Sequence, residues 1–200
     1  MCNLTAGLLK LYKSLPAFFM KRFALIICTV ALCSCSTGIN SVSTTNYPLS
    51  NEKAYSKTSN IYVDLPDGWF VAEDNECNCT DLWIVKDDYS ASISFRKINL
   101  DEETLNNLSG NKTEKVAGYC KIFIRTKLGE SFDKFFNEET FHLGEKTFTA
   151  FRYVNDKNQT VRAVVFKHYD DFFESDALSN GLGDLNDLFT IQNAVLSTLN

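Results

Sequence analysis

Runs of positive charge are missing from this chain: no stretch of Lys or Arg is longer than a pair, and 25 acidic residues outnumber 20 basic ones for a net charge of −5. That leaves no electrostatic footprint for a phosphate backbone, so DNA and RNA binding are excluded. A membrane-spanning run is missing too. Phe23 to Cys33 is apolar for eleven residues, against the roughly 20 that a helix needs to cross a hydrocarbon core, and Lys21 and Arg22 stop it from extending backwards. There is no Gly-rich phosphate loop and no G-x-S-x-G elbow. Histidine is scarce, at His142 and His168 only.

What is present argues for a packed globule. Hydrophobic residues make up 44% and aromatics 13%, with sixteen Phe, so the core is expected to be built largely from rings. The 200 residues, less about 35 for a leader, suffice for one domain with a single core.

The leader organises the rest. Lys21 and Arg22 form a positive n-region, and Phe23 to Cys33 an apolar h-region ending in small side chains, the build of a secretory signal. A signal normally starts shortly before its cations, so Met20 is the expected true start and residues 1–19 should not matter to the fold. Leu32-Cys33-Ser34-Cys35 resembles the lipobox of bacterial lipoproteins, with Cys35 as the modified cysteine; lipidation at Cys33 would put Leu32 where that motif wants a small residue. The resemblance implies a diacylglyceryl thioether on Cys35, cleavage before it and an acylated new N-terminus. No cofactor is expected beyond that covalent lipid. Each buried CH₂ contributes about 0.8 kcal/mol, so several chains make attachment close to permanent. An ordinary signal peptide cut near Ser34 or Ser36 is the other reading. Ser36 stands where an Asp would resemble an inner-membrane retention signal, which favours the outer membrane.

Residues 35–60, rich in Ser, Thr and Asn, read as the lipidated Cys and a flexible tether, and residues 61–200 as the globular domain. Ile61, Val63 and Leu65 alternate in a strand ended by Pro66-Asp67-Gly68, and Trp69 starts the return. Leu82–Lys86 and Ala91–Ile98 are expected as strands. Asp101 to Leu108 reads as a short helix with anions at its N-terminus. Val116, Cys120, Phe123 and Ile124 recur at helical spacing within Thr113 to Lys127, although Cys120, Ile122 and Ile124 also alternate as in a strand. Glu139–Leu143, Lys146–Val154 and Val161–Phe173 read as three more strands, Asp176 to Asp187 as a loop, and the end as a helix capped by Asn186 or Asp187.

The opening Ile61-Tyr-Val-Asp-Leu-Pro-Asp-Gly-Trp69 and the closing Phe189-Thr-Ile-Gln-Asn-Ala-Val-Leu-Ser-Thr-Leu199 resemble the PsbP/DcrB-like family over nearly all of residues 61–199. The resemblance implies an α+β fold, an antiparallel sheet sandwiched by helices. It also implies action by binding or by assisting assembly and not by catalysis, and it transfers no catalytic residue.

Constellations that carry chemistry are thin. His168 and Asp170 would share a strand face, but two ligands do not make a metal site. Cys77-Asn78-Cys79 fits neither the C-x-x-C redox pattern nor paired zinc thiolates. In an exported protein one disulfide joining Cys120 to Cys77 or Cys79 is open, whereas a helix would make Cys120 an inert core thiol. Asp176, Asn180, Asp184, Asn186 and Asp187 gather oxygen ligands without the EF-hand order. No catalytic or metal residue is therefore assigned. The expectation is a non-enzymatic envelope lipoprotein, held to the membrane by lipid and binding an envelope protein. Its rivals are a small-ligand carrier with an aromatic pocket and an enzyme of unrecognised type.

Overall fold

Period-two alternation decides most of the architecture. The computed structural model describes residues 47–73, 79–181 and 183–200. Its elements in order are β1 (Leu49–Tyr55), β2 (Tyr62–Pro66), β3 (Trp69–Val71), β4 (Leu82–Lys86), β5 (Ala91–Ile98), α1 (Glu102–Asn107), α2 (Lys112–Leu128), β6 (Phe136–Leu143), β7 (Lys146–Val154), β8 (Thr160–His168), β9 (Asp171–Ser179) and α3 (Leu185–Ser197). Strands β3 to β9 form one seven-stranded antiparallel sheet in the order β3-β4-β5-β9-β8-β7-β6, and β1 and β2 form a separate ribbon. The sheet closes where β9 returns beside β5, with Ala91 opposite Ser179 and Ile98 opposite Phe172.

Each strand sends alternate residues to opposite faces. On one face Ile93, Phe95, Phe148, Phe166, Phe173 and Ala177 meet α3 through Ile191, Val195 and Leu196, with Val63 and Leu65 of the ribbon completing the core. Its rings stack in series, Phe141 on Phe148 and Phe166 on Phe173. On the other face Phe151, Ala163, Val165 and Phe172 meet Val116, Ala117, Cys120 and Ile124 of α2 and Leu108. This is the expected α+β sandwich. Asp101 and Asn111 cap α1 and α2 by accepting from the Thr104 and Glu114 amides. Among the described residues no helix is long and apolar enough to cross a membrane.

Three expectations are corrected. The tether does not run to residue 60: Leu49–Tyr55 is a strand paired with β2. It was hidden because only Ala54 of that strand is buried, so its composition stays polar. Val161–Phe173 is not one strand but all of β8 after Thr160, a two-residue turn and the start of β9, with Tyr169 at φ +52°. A turn of Tyr and Asp carries none of the Gly or Asn chemistry that marks a hairpin. With β9 running to Ser179, Asp176 is a strand residue, and α3 is capped by Asp184 accepting from the Asn186 amide, not by Asn186 or Asp187.

Candidate functional site

Helix α2 lies across β7 and β8, so among the described residues the neighbouring half of that sheet face has no helix over it. The result is an open groove of about 950 Å³ between α2 and strands β4, β5 and β9. Its walls include Trp83, Phe123, Lys127 and Tyr153. Its floor follows from alternation: Ser92, Ser94 and Arg96 are the outward residues of β5, and Glu174 and Asp176 those of β9.

Register puts Arg96 opposite Glu174 and Ser94 opposite Asp176. Arg96 Nη2 donates to Glu174 Oε2 at 2.6 Å and lies 4.0 Å from Asp176 Oδ2. Glu174 is buried, and the Asp176 side chain retains 24% of its surface. Glu174 Oε1 and Asp176 Oδ1 are themselves shielded and have no hydrogen-bond partner among the described residues. One guanidinium thus serves two carboxylates. Burial, and then the Glu174 charge, push the Asp176 carboxyl well above the usual carboxylate range. Burial opposes the Arg96 charge, but Glu174 and Asp176 outweigh it and hold the guanidinium firmly protonated. Burial, reinforced by both carboxylates, also pushes up the Cys120 thiol and the Tyr153 phenol. Neither is a nucleophile near neutral pH.

The residues singled out by sequence are scattered. Cys35 and Cys77 lie outside the described residues. Cys79 is disulfide-bonded. Cys120 is a free, buried thiol, so the candidate bridge from Cys120 to Cys77 or Cys79 is corrected: α2 aims that side chain into the core beneath it. His142 Nδ1 meets Thr147 Oγ1 at 3.1 Å on the surface. His168 is buried against Phe173 on the α3 side. Burial, then the Lys146 charge, lower its pKa, opposed by the Asn60 backbone. Asp170 does not share its face, because it sits fully exposed in the β8–β9 turn. Neither histidine lines the groove. The oxygen-rich set also disperses, Asp176 to the groove floor, Asn180 to the Tyr89 carbonyl and Asp184 to the α3 cap. Among the described residues no three His, Cys, Asp or Glu side chains are grouped to hold a metal.

Sequence reading missed Arg96, Glu174 and Asp176 as a group. Their signal was Phe172-Phe173-Glu174-Ser175-Asp176-Ala177, two carboxylates at i and i+2 following a Phe pair within one strand. It also missed a second polar cluster on the other face. Arg162 is 2% exposed and donates to Gln192 Oε1 at 2.7 Å, Asn193 Oδ1 at 2.9 Å and Glu139 Oε1 at 3.0 Å. It fastens α3 to β8 and β6.

No family model and no curated protein matches this chain. The solution structure of cyanobacterial PsbP (CyanoP) from Synechocystis sp. PCC 6803 matches with a TM-score of 0.51 at 18% identity, over 85% of this chain and 98% of that chain. The α+β fold described above is therefore PsbP-like.

Proposed function

We propose that this chain is a bacterial envelope lipoprotein, anchored through lipid on Cys35 and favouring the outer membrane, that acts by non-catalytic binding or as an assembly accessory. The observation that carries the binding reading is the groove beside α2. It is large and open, its walls are aromatic, its charged floor residues are engaged with one another, and its thiol and phenol are held protonated. Such a floor recognises a complementary surface more readily than it attacks one. The PsbP-like fold supports the same class, and the leader with Ser34-Cys35 supports the anchor.

Two measurements test this reading. Mass spectrometry of the native polypeptide should find residues 1–34 absent and Cys35 acylated; an unmodified Cys35 ends the anchor. A photo-reactive residue at Trp83, in the groove, should give a discrete crosslinked species in cells, and one at His142 should not. Equal, diffuse labelling at both sites ends the groove as the docking site.

The carrier reading has its own support. Trp83, Phe123 and Tyr153 converge with Arg96 and Asp176, an aromatic pocket with a few polar groups. A small molecule retained through native purification, and lost on Tyr153→Ala, would favour it over a protein partner.

A further inference from the structure

The outer face of α2 collects cations and apolar side chains together. Five of the helix's six charged residues are basic, namely Lys112, Lys115, Lys121, Arg125 and Lys127, against Glu114, in a chain of net charge −5. Lys121 pairs with Glu138. The other four have no carboxylate within ion-pair distance among the described residues. Among them stand Tyr119, Ile122 and Phe123, the last two 63% and 71% exposed. The sheet does not need these residues, since Val116, Ala117, Cys120 and Ile124 already fill the inward face. Helical spacing puts Lys115, Tyr119 and Ile122 along one line, with Phe123 beside them at the groove rim, while Lys127 falls on the groove side of the helix.

We propose that this face rests on an anionic phospholipid surface, the cations over the headgroups and Ile122 and Phe123 in the boundary beneath them. Charge selects the occupant, because an acidic domain is drawn to a negative surface only through its basic side, and the contact therefore also orients it. Shape agrees. Ile122 projects from the convex side of the helix and Phe123 from the rim that this face shares with the groove, and a soft headgroup layer admits such a ridge without a preformed pocket. The opposing charges on the helix and next to it in sequence or by ion pair are Glu114, the Glu138 partner of Lys121, and Glu130 and Asp133 just beyond the helix. The contact is additional to the proposed Cys35 thioether and does not depend on it.

The test is quenching by brominated lipid of the full chain reconstituted with vesicles, comparing a Phe123→Trp variant with a Tyr89→Trp variant at the exposed β4–β5 turn. With phosphatidylglycerol present, the tryptophan added by Phe123→Trp should be quenched about threefold more than that added by Tyr89→Trp. The excess should vanish in phosphatidylcholine alone, at high salt, or with Lys115→Glu and Arg125→Glu. All these side chains are exposed, so a circular dichroism melt close to that of the parent chain checks folding. Equal quenching at both sites, the result if the face meets an acidic protein instead, overturns the proposal. So does a Phe123→Trp excess that is indifferent to lipid charge, or failure of the chain to associate with the vesicles. The state of Cys35, read separately by mass, does not enter the comparison.

Discussion

The two faces of the sheet each carry an arginine among carboxylates or amides, and they treat it differently. Under α3, Arg162 is enclosed and matched: its donors meet Gln192, Asn193 and Glu139, and Gln192 in turn donates to the Ser175 carbonyl at 2.9 Å. Under the open side of α2, Arg96 is half exposed, faces two carboxylates and leaves one oxygen of each without a partner among the described residues. Burial penalises an unmatched polar group. On the closed face the Arg162 donors are matched, although Trp69 Nε1, Arg152 Nε and His168 Nε2 on that side have no partner among the described residues, whereas the groove holds a guanidinium shared between two carboxylates at an open surface. The first arrangement holds the fold together, and the second carries the proposed docking.

The sharpest way to break this comparison is Arg162→Met, which strands Gln192 and Asn193 in the core. It should cost about 3 kcal/mol in urea unfolding. Arg96→Met should cost nearer 1 kcal/mol, since Arg96 is partly solvated and the carboxylates it abandons can take up protons. Equal losses would mean that the two clusters do the same structural work.

Asp176→Asn should do the reverse and stabilise the protein by about 1 kcal/mol at pH 8. The folded pKa of Asp176 is raised, so its contribution is complete below the ordinary carboxylate range of about pH 4 and is lost as pH rises through the folded value. The variant should remove that loss and leave stability at acid pH nearly unchanged. A variant that is destabilised at both pH values would show the carboxylate to be structurally required.

The smallest effect belongs to His168, whose folded pKa is lowered. Its contribution is present above the unfolded value of about 6.5 and is lost as pH falls through the folded one. His168→Gln should flatten the acid side of the stability curve by a few tenths of a kcal/mol. Together, the two variants should separate slopes of opposite sign arising on opposite faces.

Local pattern made much of this legible. Strands β4, β5 and β7 appear at their expected bounds, and the 3.6-residue recurrence of Val116, Cys120 and Ile124 correctly outweighed the competing strand. The β8–β9 turn was not legible, because Tyr169 adopts a left-handed conformation that its residue type does not advertise. The groove was legible only in hindsight. Glu174 and Asp176 are visible as a pair in one strand, but Arg96 lies 78 residues from Glu174 in sequence, and only strand pairing brings it opposite.

By itself, the order of residues determined the aromatic core and the two-sided strands, since each depends on neighbours a few positions apart. Tertiary structure decided which side of each strand α2 leaves uncovered, and hence that a salt-bridged floor lies open while Arg162 is sealed. Those outcomes rest on register between distant strands, whose partners are chosen by packing and hydrogen bonding of the whole sheet.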